Sequence, residues 1–157
     1  MIIGVVAISK DFAIGKDGKL PWHHPADLKF FRATTTGNAV LMGSRTWHSI
    51  GKPLVSRFNI VLSRDATLDL PSNVLRLANI ESALELSKYL AGDLYVIGGA
   101  KVFEAFASHM DQWVVTTVPD DVKDADTFMP SNFLDGFEVR SEQDIGEGCH
   151  VRVLHRS

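Results

Sequence analysis

The chain is 157 residues long, 45% hydrophobic and 22% charged, with one Cys and a formal net charge of −3. A soluble chain of that size buries roughly 68 to 70% of the surface its unfolded form exposes, so disorder, collagen and small disulfide-stapled scaffolds are excluded. Apolar runs reach only about eight residues, where a membrane span needs roughly 18 to 20. The first residues lack a signal-peptide pattern and Cys149 has no bridging partner, so a reducing, cytoplasmic setting is expected.

Ile2 to Ile8 is a continuous β-branched run, the pattern of a strand covered on both faces. Ser9 to His24, rich in Gly, Lys and Asp, is the one long connection and a candidate lid. Pro25 suits the first position of a helix in which Leu28, Phe30 and Phe31 give apolar spacing and which Gly37 ends. Ala39 to Met42 predicts a strand, and Ser44 the N-cap of a short helix carrying Trp47 and Ile50. Strands follow over Phe58 to Leu62 and Val74 to Leu77, then a helix from Ile80 to Leu90 capped by Asn79 and stopped by Gly92. Leu94 to Ile97 predicts a strand, Ala100 to Ala107 a helix and Trp113 to Val118 another strand. The end differs: Phe137 to Ser141 and Val151 to His155 alternate around a loop with Gly146 and Gly148, the pattern of an antiparallel hairpin. Strand and helix otherwise alternate, which implies an α/β fold with a mostly parallel sheet covered on both faces, in one domain over residues 1–157.

The net charge conceals a split. Residues 1–64 carry nine Lys and Arg against three Asp and Glu, whereas residues 65–157 carry seven against sixteen. The acidic part argues against nucleic-acid binding, and the basic part suits a small anionic ligand.

Asp27 is the first candidate for chemistry. A carboxylate in the first turn of a helix complements the helix dipole and needs no further role. Its four-residue spacing to Phe31, however, places it on an apolar face, where its pKa rises and where it binds a cationic or doubly donating heterocycle. Gly98-Gly99, between a strand and a helix, is either an ordinary tight turn or a place where the backbone approaches a pyrophosphate. Leu62, Ser63 and Arg64 end a strand where α/β sheets bind ligands, and Arg57 offers a bidentate clamp for a carboxylate. Either Arg serves equally well as a solvated charge. None of the six histidines pairs as HxH or HExxH, so no metal site is expected, and no nucleophile arrangement is present.

Taken in order and spacing, Val5-Val6-Ala7, Ile14-Gly15, Leu20-Pro21-Trp22, Pro25 to Leu28 with Phe31, Met42-Gly43, Thr46-Trp47, Ile50-Gly51, Pro53-Leu54, Arg57, Leu62-Ser63 and Val96 to Gly99 resemble the dihydrofolate reductase family along the whole chain. The resemblance implies an eight-stranded, mostly parallel sheet and hydride transfer from NADPH to dihydrofolate. It implies that Asp27 hydrogen-bonds the pterin and favours protonation at N5, with Trp22 and Thr116 ordering the network around that carboxylate. Leu28, Phe31, Ile50 and Leu54 match the walls around the substrate rings, Arg57 the clamp on its glutamate, and Val5, Val6 and Ile97 positions lining the pterin pocket.

On the cofactor side, the resemblance implies that Ala7 and Ile14 hold the nicotinamide carboxamide, beside Gly15 and Leu20 of the lid. Gly98 and Gly99, joined in the family by a cis peptide, would lie at the pyrophosphate with Ala100, Lys101, Val102 and Phe103 following. Gly43, Ser44, Arg45, Thr46, Leu62, Ser63 and Arg64 fall in segments that hold the phosphates, and Asp126 matches a position that supports the closed lid. Ser44 stands where many bacterial members have Arg, with Arg45 and Arg64 as candidates to replace its charge. Ala100 and Phe103 replace a Gly and a Tyr found in many relatives, and Val6 stands where Ala is frequent. His24 stands where an apolar residue is usual, and a titrating group there adds a pH effect. The implied partners are dihydrofolate and antifolate-type small molecules, with no nucleic acid or membrane, for a monomer. The rivals are the pyrimidine reductase of riboflavin synthesis and a catalytically silent nucleotide-binding protein on the same fold; the set Asp27, Trp22 and Thr116 with Arg57 favours the reductase acting on a pterin.

Overall fold

The computed structural model describes residues 1–157. In chain order the elements are β1 (Ile2–Ile8), β2 (Ala13–Gly15), α1 (Pro25–Thr35), β3 (Ala39–Gly43), α2 (Ser44–Ile50), β4 (Phe58–Leu62), β5 (Val74–Leu77), α3 (Ile80–Ser87), β6 (Leu94–Val96), α4 (Ala100–Phe106), β7 (Gln112–Thr117), β8 (Thr127–Phe128), β9 (Phe137–Gly146) and β10 (Cys149–Arg156). Eight strands form one sheet in the order β5-β4-β3-β6-β1-β7-β10-β9. Every pairing from β5 across to β7 is parallel, and β10 runs antiparallel to both β7 and β9. The expected α/β architecture with its closing hairpin is therefore what forms.

The continuous apolar runs are explained by burial on both faces. From β1, Ile2, Val6 and Ile8 join a core with Ala83 of α3 and Phe103 and Phe106 of α4, while Ile3 joins Trp47 of α2 in a second core on the opposite face. β3 divides in the same way, with Ala39 and Leu41 on the first face and Val40 and Met42 on the second. Gly4 keeps the alternation on the first face without a side chain, because a Cβ there would lie inside the indole of Trp113. Trp113 is 2% exposed and packs edge-on to Phe133 at 5.1 Å and tilted against Phe103 at 5.5 Å.

Four local expectations are corrected. Gly43, extended at φ −80°, is the N-cap of α2 and Ser44 its first helical residue, since β3 runs straight into the helix and the Ser44 hydroxyl makes no capping bond. α3 stops at Ser87 rather than Leu90: the Ser87 hydroxyl donates to the Leu84 carbonyl at 2.6 Å, and tight turns follow at Lys88 and Tyr89. The hairpin is longer than expected, with β9 extending through the mostly polar stretch to Gly146. A second, two-stranded sheet pairs β2 with β8 and pins the middle of the long connection. Asn79 caps α3 as expected, accepting from the Ser82 N–H at 2.8 Å.

Gly4→Ala is expected to force the Trp113 indole out of its packing position. It should destabilise the protein by about 1 to 3 kcal/mol, the usual cost of overpacking a dense core, and urea unfolding should show a lower midpoint with an unchanged slope.

Candidate active site

The strand order creates a crevice. Successive crossovers from β1 lead outward through β3, β4 and β5, and the chain then returns to insert β6 between β3 and β1 before β7 pairs on the far side. Ligands of open α/β sheets sit beyond the carboxyl ends of strands at such a reversal. Here a cleft of about 510 Å³ opens beyond β1, β6 and β7, between α1 and α2.

Asp27 lies in the first turn of α1 and lines this cleft with Leu28, Phe30, Phe31, Ile50 and Leu54. Burial pushes its carboxyl above the ordinary 3.8; the Thr116 hydroxyl of β7 and the nearby His24 pull it partly back. Phe31 faces the same cleft, as the four-residue spacing requires, but is half-buried rather than buried, and Leu28 is 47% exposed. The apolar face of α1 thus turns toward an open crevice as well as a core.

Arg57 closes one end of the cleft. Its Nε donates to the Val55 carbonyl at 2.9 Å and its Nη1 to the Thr35 hydroxyl at 3.1 Å, and its guanidinium lies 5.8 Å from the Phe31 ring centre. Burial and, to a lesser degree, the neighbouring Arg32 lower its proton affinity below that of a free guanidinium. The side chain is held at the cleft wall rather than free in solvent. Lys19, Arg32, Arg45 and Arg57 line the cleft against a single carboxylate, Asp27, so the basic bias of the first 64 residues converges on one cavity.

At the other end the Gly98-Gly99 peptide is cis, and Gly98 has φ +118°. A Cβ on Gly98 would meet the Phe103 ring at 3.2 Å, and one on Gly43 would meet Val102 at 3.0 Å. Only glycine keeps the backbone exposed to the cleft at this point. The helices that start here, α2 and α4, have glycine N-caps and no capping side chain, whereas α3 is capped by Asn79 and the Ala26 N–H in the first turn of α1 is met by Glu147 at 3.2 Å. Two uncapped helix starts, the backbone of the diglycine, Arg45 and Thr46 suit an anionic group.

The long connection reaches the cleft and is tied to the residue before β8. The Asp126 carboxylate accepts the Asp17 N–H at 2.8 Å and the Thr127 hydroxyl at 2.9 Å, and the Asp126 N–H donates to the Gly15 carbonyl at 3.2 Å. Ile14, Gly15 and Leu20 of this segment line the cleft, as do Val5, Val6, Ala7, Ile97, Phe103 and Thr116 from the strands and α4.

Some expected residues lie outside it. Trp22 is buried with Val118 and Cys149, its indole N–H without a partner, and does not line the cleft. Gly43 and Val102 stand behind the diglycine, while Ser44, Leu62, Ser63, Arg64, Ala100 and Lys101 also fall outside the lining. Arg64 is exposed, and the Ser63 carbonyl accepts from Arg76 Nη1 at 2.8 Å. Phe30, Arg32, Ser49 and Thr127 line the cleft without having been singled out. Phe30 and Ser49 stand three residues after Asp27 and Thr46 and were open to the same helical spacing rule; Thr127 carried no sequence signal, because the small sheet that places it was not expected.

A family model described as dihydrofolate reductase matches residues 1–153. The chain is 37% identical over 139 residues to a dihydrofolate reductase of Haemophilus influenzae, covering 88% of this chain and 84% of the relative. It is 39% identical over 162 residues to dihydrofolate reductase HdrB of Haloferax volcanii, covering 97% and 81%. Among solved structures it resembles dihydrofolate reductase from Enterococcus faecalis complexed with NADP(H) and RAB-propyl, with a TM-score of 0.91, 29% identity and coverage of 100% and 96%.

Independently of any ligand, Asp27→Asn is expected to stabilise the folded protein at neutral pH. The raised carboxyl is most costly when ionised, and that cost disappears as pH falls through the folded pKa toward the ordinary 3.8. Unfolding curves of the two proteins should therefore separate at neutral pH and converge in acid; a constant gap would show that burial is not the cause.

Proposed function

The chain belongs to the dihydrofolate reductase family, and from that premise we infer that it reduces 7,8-dihydrofolate to 5,6,7,8-tetrahydrofolate with NADPH. The observation that carries this reading is a single half-buried carboxylate, Asp27, in an otherwise apolar and cationic cleft, with Arg57 fixed at one end and the diglycine at the other.

The site fits a dinucleotide with phosphate groups: uncapped starts of α2 and α4, a glycine cradle that a Cβ would fill, and Arg45 and Thr46 at the same end. In the proposed assignment Ala7, Ile14, Gly15 and Leu20 hold the nicotinamide end, and Gly98, Gly99, Arg45 and Thr46 the pyrophosphate. Gly43, Ser44, Leu62, Ser63, Arg64 and the first turn of α4 complete the cofactor track. When bound, NADPH supplies the hydride.

Asp27 orients the pterin through paired hydrogen bonds and raises the proton affinity of the ring at N5, the atom beside the carbon that accepts hydride. Thr116 holds the carboxylate in place, and Trp22 supports that wall from behind. Leu28, Phe31, Ile50 and Leu54 exclude water from the rings, and Arg57, pinned by Thr35 and Val55, meets the carboxylate tail. The segment tied to Asp126 covers the nicotinamide end. A carboxylate-bearing pterin uses both Asp27 and Arg57, which favours this substrate over a ribityl phosphate pyrimidine.

No helix is long and apolar enough to cross a membrane. We take residues 1–157 as one catalytic domain acting as a cytoplasmic monomer, and small antifolates as competitors for the Asp27 pocket.

In an assay of NADPH oxidation with dihydrofolate, Asp27→Asn should lower turnover at neutral pH by roughly 10² to 10⁴-fold, the range for loss of acid-base assistance. Equal turnover would remove Asp27 from the chemistry. Arg57→Ala should raise the KM for dihydrofolate while leaving kcat nearly unchanged, since the tail lies away from the reacting atoms; an unaltered KM would place the tail elsewhere.

A further inference from the structure

His24 precedes α1 as its N-cap residue, yet its imidazole does not cap the helix. It turns instead into a corner where three distant segments meet. Its Nε2 is bonded to the Asp120 carboxylate, from the loop after β7, and its Nδ1 lies 3.7 Å from the Glu147 carboxylate, from the turn between β9 and β10. The imidazole side chain is 16% exposed, against 34% for Asp120 and 39% for Glu147. The same Glu147 oxygen accepts the Ala26 N–H at 3.2 Å, so one carboxylate both holds the first turn of α1 and faces His24. The adjacent His23 is exposed.

We propose that His24 is a positioning residue for Asp27: its imidazole, bonded to Asp120 and facing Glu147, fixes the first turn of α1, and when it carries a proton its charge offsets theirs beside the Asp27 carboxylate, which sets the pH range of turnover. The inference rests on the reductase reading for its effect on turnover and on the corner itself for its effect on Asp27.

Asp120 comes from the segment after β7, Glu147 from the hairpin turn and Asp27 from α1 itself. Cys149 of β10 also lies in this corner; burial and the three carboxylates push its thiol pKa up, so it stays neutral and adds no charge. Two carboxylates therefore contact the imidazole, and a third, Asp27, lies within its electrostatic reach. With the ring protonated, the cation offsets them and favours the ionised form of Asp27. Without it, Asp120 and Glu147 stand uncompensated beside the start of α1, and Asp27 holds its proton to higher pH.

The test is a ¹³C NMR titration of the Asp27 carboxyl in the ligand-free protein, compared among wild type, His24→Gln and His24→Lys, with folding of each checked by circular dichroism. The Asp27 titration should move to higher pH in His24→Gln and return toward wild type in His24→Lys, which keeps the cation. Coincident titrations in the three proteins would overturn the proposal, as would equal shifts in both variants, which would mark a packing role alone. In the dihydrofolate assay the alkaline fall of kcat should move to higher pH in His24→Gln. A wild type without that activity would defeat the reductase reading while leaving the carboxyl titration to decide the role of His24.

Discussion

Two backbone hydrogen bonds at the top of the sheet hold the architecture of the site: Ile97 N–H to the Leu41 carbonyl, and Gly43 N–H to the Gly98 carbonyl, both at 2.9 Å. They continue the pairing of β6 with β3 beyond the last ladder residues, up to the point where the chain turns into α2 on one side and α4 on the other. Because β6 is clamped there, both uncapped helix starts are brought to one end of the cleft, while β1 and β7 carry Ala7 and Thr116 to the other wall. An anion-accepting end and an apolar, carboxylate-bearing end follow from one seam in the sheet. Glycine suits positions 43 and 98 because a Cβ at either would crowd Val102 or Phe103.

Electrostatics then act locally rather than through the total charge. A protein with a formal charge of −3 lines its cleft with four cations and one carboxylate. The acidic residues of the second part of the chain lie largely on exposed loops and the outer strand, with Glu138, Glu142 and Asp144 all exposed along β9. Asp120 and Glu147 also make a specific contact, since the hairpin turn and the loop after β7 return to the start of α1 and place acid beside His24.

The central strands were legible because strands buried on both faces read as unbroken apolar runs, and their mostly parallel pairing followed from the alternation with helices, although the strand order did not. The spacing of Asp27 and Phe31 made the cleft face of α1 legible too. Elements without a hydrophobic period were not: β2 and β8 have three and two residues, and β9 is exposed along most of its length. Ser44 suggested a cap because hydroxyls favour that position, but direct passage from β3 into α2 left the cap to Gly43. Contacts between distant positions lay beyond local reading. Thr35 fixing Arg57 spans 22 residues, and His24 meeting Asp120 spans 96.

The position of β1 bears on the order in which the molecule is assembled. Its only partners in the sheet are β6 and β7, with Ile2 opposite Leu94 and Ile8 opposite Thr117. During synthesis the first strand therefore emerges with no neighbour to pair with. It waits for about 90 further residues, roughly 5 to 18 s at ordinary elongation rates. β3, β4 and β5 can register against one another in that interval, since their pairings are sequential. The half of the sheet that carries β1 closes only after Leu94 to Thr117 has left the ribosome, and its highly apolar opening strand is until then the segment most in need of protection from association with other chains.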